Sequence, residues 1–369
     1  MRNRWIHRLT FAPALAVLSF IIAVGFAGCG QEEEVALGAV MPLSGAGDMS
    51  DVKRGMELAL SEVNASGGIN GREAVLHVAD SSGETTTAGE RLRELEAEHE
   101  PLVVFSALSS VTRVVSTEAE QARVPLIGLV ATDPGITQGT EWTYVFYPSA
   151  EHEVEPVFTI LREHRVRTVA VWHLDDAYGR SVARETEQRF DGMDVTVDAL
   201  PHDGDAASLA GEAERLVDND AVYLVGYPKH IVSMKNALDA AGYSGLVFST
   251  STVTLPSLRT EHDLDGVFAA APLIYNDTFI FARQVSSGYE DRFNRSFNHY
   301  AATGYAIIRI VAGLLEGEEL TRERVKQLLQ EGFIYTGVFG EIRLPADDHN
   351  IYFPLHPARI EGDSLRYIQ

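Results

Sequence analysis

The chain has 369 residues, 45% of them hydrophobic, and 53 acidic side chains against 30 basic ones, a net charge of −23. A surface of that sign repels nucleic acid and anionic lipid headgroups, so neither is expected as a partner. One cysteine permits no intrachain disulfide, and the length exceeds what a single core normally serves, so two domains held by packing alone are expected.

Arg2, Arg4 and Arg8 precede an uncharged stretch from Leu9 to Phe26. A basic start, an apolar run and small residues before a cut site mark a secretory signal, expected here over residues 1–28. The apolar run is also long enough to raise an uncut transmembrane helix as a rival. Cys29 favours the first reading. It stands where the run stops, after Ala27-Gly28, and a polar tether (29–34) follows. This resembles the bacterial lipoprotein signal, in which the cysteine is diacylated and becomes the new N-terminus; Phe26 stands where that pattern usually has Leu. Two acyl chains suffice for stable anchoring. Removing 1–28 takes three arginines and no acid, so the mature chain is more acidic still.

From residue 35 short apolar runs alternate with amphipathic windows. Strands are expected at Ala36–Met41, Val75–Ala79, Leu102–Phe105 and Leu126–Leu129, with helices at Asp51–Ala65, Thr85–Glu98 and Val111–Ala122. The rhythm restarts after a break near Tyr147–Ser149. Helices at Ala150–His164, Gly179–Phe190, Ala207–Asp218 and Lys229–Ala241 then alternate with strands at Thr168–Trp172, Val195–Leu200, Ala221–Val225 and Leu246–Ser249. Such alternation calls for parallel sheets covered on both faces. The reading is therefore α/β, with two doubly wound parallel-sheet lobes. The tail reads as three helices (278–293, 300–316, 321–330) and four short strands (335–338, 341–344, 351–359, 365–368).

Several loop and helix motifs carry a resemblance. They are Arg54-Gly55-Met56-Glu57-Leu58-Ala59 through Gly67-Gly68-Ile69-Asn70-Gly71-Arg72, Pro42-Leu43-Ser44-Gly45, Ser109-Ser110-Val111-Thr112 and Ala131-Thr132-Asp133-Pro134 with Thr137. Asp175-Asp176-Ala177-Tyr178-Gly179, Gly226-Tyr227-Pro228 and the helix from Tyr300 complete the set, with Ala306 where an Asp is usual. In order and spacing the chain resembles the branched-chain amino acid binding family of type I periplasmic binding proteins over essentially everything after residue 35. The resemblance implies a Venus-flytrap fold with three interlobe crossovers: lobe one from 35–148 plus 277–332, lobe two from 149–276 plus 333–369. It also implies an ABC importer, an extracytoplasmic location and a small polar or carboxylated ligand held between the lobes, with no cofactor.

The singled-out loops follow the carboxyl ends of strands, where open α/β sheets place ligands. Helix starts offer unpaired N–H groups and partial positive charge to an anion. Ser109, Ser110 and Thr132, with Val130 and Ala131 beside them, are expected at the anionic end of the ligand. The alternative for these hydroxyls is ordinary helix capping. Tyr178 and Tyr227 are expected to cover the ligand from lobe two; their alternative is interlobe packing. The family usually places a Glu after the third strand of lobe two, to pair a ligand ammonium. Here that position falls on Ser251, with no acid nearby, and Tyr147 stands where Arg is frequent. Either Asp80, Asp175 or Asp176 substitutes, or the ligand is not an amino acid. No nucleophile elbow, P-loop, Gly-x-Gly-x-x-Gly or His-Glu-x-x-His is present, and the twelve histidines are scattered, so neither catalysis nor a metal site is expected. A clamshell that signals to a receptor instead of feeding a transporter remains the alternative.

Overall fold

The structure, a computed structural model, describes residues 34–44, 47–276 and 279–368. The signal segment and Cys29 lie outside them. The first run is β1 (Val35–Met41), α1 (Ser50–Ala65), β2 (Ala74–Asp80), α2 (Thr85–His99), β3 (Val103–Ala107), α3 (Ser109–Ala122), β4 (Leu126–Leu129) and β5 (Thr143–Phe146). The second is α4 (Ala150–Glu163), β6 (Thr168–Leu174), α5 (Ala177–Phe190), β7 (Thr196–His202), α6 (Leu209–Glu214), β8 (Ala221–Val225), α7 (Pro228–Ala240), β9 (Leu246–Ser249), α8 (Pro256–Glu261) and β10 (Phe268–Pro272). The tail holds α9 (Ile280–Phe293), α10 (His299–Leu314), α11 (Arg322–Glu331), the hairpin β11 (Phe333–Gly337) and β12 (Gly340–Leu344), then β13 (Asn350–Ile351), β14 (Leu355–Glu361) and β15 (Ser364–Tyr367).

Two sheets result. The first runs β13-β5-β4-β3-β1-β2, parallel throughout. The second runs β15-β14-β10-β9-β8-β6-β7, parallel from β7 to β10 and finished by antiparallel β14 and β15. The central strands are buried along their whole length, as β3, β4 and β8 show, because helices cover both faces. The chain passes between sheets three times: between β5 and α4, between β10 and α9, and between β13 and β14.

The last passage lies later than the expected boundary at 332–333. Strand β13 joins the first sheet beside β5, and the hairpin packs there too. Phe339 stacks on Phe353 with centroids 3.7 Å apart, and both meet Phe146 edge-on. Only β14 and β15 complete the second sheet. The strands β5 and β10 and the helix α8 were not anticipated. Strand β10 is Phe-Ala-Ala-Ala-Pro, poor in β-branched residues, and is extended because β9 and β14 flank it.

Helix α1, which carries the Arg-Gly-Met-Glu-Leu-Ala motif, packs on α10 at backbone contact. A Cβ on Gly55 would lie 1.9 Å from the Ala301 carbonyl oxygen, and one on Gly304 2.0 Å from that of Val52. Gly55→Ala should therefore force the helices apart and cost about 1–3 kcal/mol by overpacking. Gly313→Ala, on the same α10 but with open space around it, should instead be neutral or stabilise by up to about 1 kcal/mol. Urea denaturation checks both; equal stability of wild type and Gly55→Ala would contradict the close packing.

Candidate functional site

In each sheet the strand order reverses once, between β1 and β3 and between β6 and β8. Loops diverge there at the carboxyl ends of the strands and leave a crevice. One cavity lies where the two crevices face each other. Leu108, Ser109, Val130, Thr132 and Tyr300 line it from the first lobe and Glu153, Tyr178, Tyr227, Ser251 and Thr252 from the second, with Tyr147 at the first passage between them. The cavity spans about 320 Å³, part of it open to solvent.

The first-lobe side is built of neutral donors. Ser109 opens α3, and its Oγ accepts the backbone N–H groups of Thr132 at 3.1 Å and Asp133 at 3.4 Å, which leaves its own proton free to donate. The Thr132 hydroxyl is buried and has no partner. The turn that presents it is strained, since Val130 holds φ +50, a value a β-branched residue rarely adopts. The Thr132 carbonyl accepts the Ala150 N–H at 2.9 Å, tying this loop to the start of α4.

The second-lobe side holds one carboxylate. Glu153 sits in the first turn of α4, 1% exposed. Its Oε1 accepts the Ser251 hydroxyl at 2.5 Å and its Oε2 the Ser251 N–H at 2.8 Å. The Tyr147 hydroxyl lies 3.0 Å from the Ser251 Oγ, so it donates into a chain that runs from Tyr147 through Ser251 to Glu153. Burial pushes the Glu153 carboxyl up to about 7; the two Ser251 hydrogen bonds hold it from rising further. Burial, reinforced by Glu153, likewise raises Tyr147 and Tyr178 well above the usual phenol range, so both stay neutral donors. The Tyr178 hydroxyl pairs with Thr250 at 2.7 Å, and the Tyr227 hydroxyl donates to Asp176 at 2.7 Å.

Six of the eight residues expected at the site thus surround one cavity: Ser109, Val130, Thr132, Tyr178, Tyr227 and Ser251. Ala131 is buried but not among the lining residues, and Ser110 is hydrogen-bonded to Tyr227 beside the cavity, across the seam between lobes. None of the three acids considered as substitutes lines it. Asp80 accepts the N–H groups of Leu43 and Ser82, Asp175 pairs with Arg180, and Asp176 caps α5 through Gly179. The acid in the cavity is Glu153, which was not anticipated. A signal for it exists. Ala150, Glu153, Val154, Val157, Phe158 and Leu161 share one buried helical stripe, so Glu153 is an acid on an apolar face, whereas Glu155 points to solvent.

Residues 34–364 match the family description "Periplasmic binding protein", and the chain belongs to that family. Its members are extracytoplasmic solute-binding proteins, not enzymes. The "Chemotactic signal transduction system substrate-binding protein BasB" of Halobacterium salinarum is 26% identical over 253 residues, 64% of this chain; the chain spans about 60% of that relative's length. The isoleucine complex of LivJ, a branched-chain amino acid transporter substrate-binding protein from Streptococcus pneumoniae, superposes with a TM-score of 0.79 at 20% identity, covering 91% of this chain and 99% of that one. An ABC transporter solute-binding protein from Rhodopseudomonas palustris, in complex with 3,4-dihydroxybenzoic acid, gives 0.80 at 15% identity, covering 91% and 96%.

Glu153 holds its proton more tightly in the folded chain, near 7, than at the ordinary carboxyl value of 4.5. The stability this proton confers is full below about 4.5 and is lost as the pH rises through 7. Glu153→Gln, neutral at every pH, should gain on wild type by roughly 3 kcal/mol between pH 4.5 and 8 in urea denaturation of the ligand-free protein. Parallel pH profiles for the two would contradict the burial of a titrating Glu153.

Proposed function

We propose that this chain is the lipid-anchored solute-binding component of an ABC importer, and that it closes two lobes around a small polar or carboxylated organic molecule. The observation that carries this reading is the Thr132 hydroxyl, buried without a partner in a cavity that both lobes line. A buried hydroxyl left unpaired costs free energy, and a ligand carboxylate would recover it. Ser109, beside it at the start of α3, adds a second hydroxyl donor and a helix N-terminus. Val130 and Ala131 shape that turn. Tyr178, Tyr227 and Ser251 would select among ligands from the second lobe, and Ser110 would help hold the seam through Tyr227. Attachment through Cys29 keeps the body beside the permease.

The name of the Halobacterium relative favours a second reading, in which the same clamshell reports its ligand to a receptor. Deleting the gene distinguishes them: loss of solute uptake supports the importer, and loss of taxis with uptake intact supports the sensor.

A thermal-shift screen of amino acids, small carboxylates, amides and sugars should find a ligand, and small-angle scattering with it should give a smaller radius of gyration, since a solute that touches both lobes favours the closed form. Thr132→Ala should weaken that ligand about ten- to a hundredfold, the effect of one charge-assisted hydrogen bond. Unchanged affinity in Thr132→Ala would place the ligand elsewhere. Cys29→Ser should abolish lipidation; an unchanged intact mass and membrane attachment would sink the anchor.

A further inference from the structure

We infer that a small tetrahedral oxyanion, phosphate or sulfate, binds in the seam between the lobes, beside the solute cavity, and clamps the lobes together. This second site shares no lining residue with the solute cavity. Its test does not require the solute to be known.

A pocket of about 480 Å³, part of it open to solvent, lies between α3 and α5, helices of opposite lobes that touch there. Arg113 and Asp133 line it from the first lobe, and Ala177, Arg180, Ser181 and Arg184 from the second. The four α5 residues are three and four positions apart, so they share one face of that helix. Three guanidinium groups therefore line one space, in a chain whose net charge is −23. Two of them have a carboxylate. Arg113 pairs with Asp133, whose other oxygen accepts the Gly135 N–H at 2.9 Å, and Arg180 pairs with Asp175 at 2.7 Å. The third, Arg184, is exposed, and its guanidinium has neither ion pair nor hydrogen bond among the described residues.

Both ion pairs stay within one lobe, so among the described residues no carboxylate bridges the arginines across this seam. Closing the lobes sets cations of α3 against cations of α5. An anion between them turns that repulsion into attraction. Each guanidinium carries more N–H donors than one carboxylate uses, so Arg113 and Arg180 keep donors to spare and Arg184 keeps all of its own. A tetrahedral oxyanion can accept such forks from two sides at once, which the single sphere of a chloride ion cannot match in geometry. An anion that touches both lobes favours the form in which they meet, and by linkage it strengthens any solute that prefers the same form.

The test is guanidinium-nitrogen NMR on the mature protein, titrated separately with sodium phosphate and sodium sulfate against sodium chloride at equal ionic strength. The Arg113, Arg180 and Arg184 signals, assigned through variants, should shift saturably with at least one oxyanion, and the one that saturates at lower concentration is the better ligand. Small-angle scattering with that anion should give a smaller radius of gyration. Arg184→Gln should weaken it about three- to tenfold, as expected for a charge-assisted contact at an exposed site. Arg113→Gln combined with Asp133→Asn, which leaves no lone carboxylate behind, should do the same from the first lobe. Should that double variant fail to fold, the Arg113 signal in wild type decides the first-lobe contact. Shifts no larger than those in chloride, or unaltered by Arg184→Gln, would overturn the site. Shifts confined to Arg180 and Arg184, with an unchanged scattering profile, would place the anion on one lobe and overturn the clamp. A solute screen that found no ligand would leave these readouts untouched, so the two readings stand or fall separately.

Discussion

The hydrogen-bonded pair of Glu153 and Ser251 is the contact on which the site depends. It joins the first turn of α4 to the loop after β9, two segments 98 residues apart. The pair holds a carboxylate where burial alone would expel or neutralise it. Around it, among the described residues, stand hydroxyls and aromatic rings and no ion-pair partner. Tyr147 extends the chain of hydrogen bonds into the first passage between lobes.

The architecture explains why these residues meet. Each sheet opens a crevice where its strand order reverses, and three passages of chain hold the two crevices opposite each other. Helix α4 begins at the first of these passages, and the Thr132 carbonyl caps its Ala150 N–H. The Thr132 turn and the Glu153 carboxyl are thereby linked through a short stretch of backbone. The strain at Val130 sits in the same turn, where a ligand contact offers a reason for it to persist.

Much of this was legible in the sequence because parallel, doubly covered sheets leave a plain trace: short apolar runs separated by amphipathic helices. The loops after those runs named most of the cavity wall. What stayed hidden has particular causes. Strand β10 is mostly alanine and is a strand only by virtue of its neighbours. The hairpin and β13 return to the first sheet through the stacking of Phe339, Phe353 and Phe146, which no local pattern announces. Glu153 was missed because an acid was sought in the loop after β9. Burial placed it instead on the apolar stripe of α4, where its helical phase with Ala150 and Val157 was the available clue.

A titrating carboxyl buried between the lobes at Glu153 is what the site's electrostatics turn on, and its own titration is the direct measurement. Carboxyl-carbon NMR on ligand-free protein labelled at glutamate, with Glu153 assigned through the Gln variant, follows the group with pH. The midpoint is expected near 7, well above the usual carboxyl range, because burial disfavours the charged form. A midpoint at the ordinary carboxyl value of 4.5 would contradict the burial of Glu153 between the lobes.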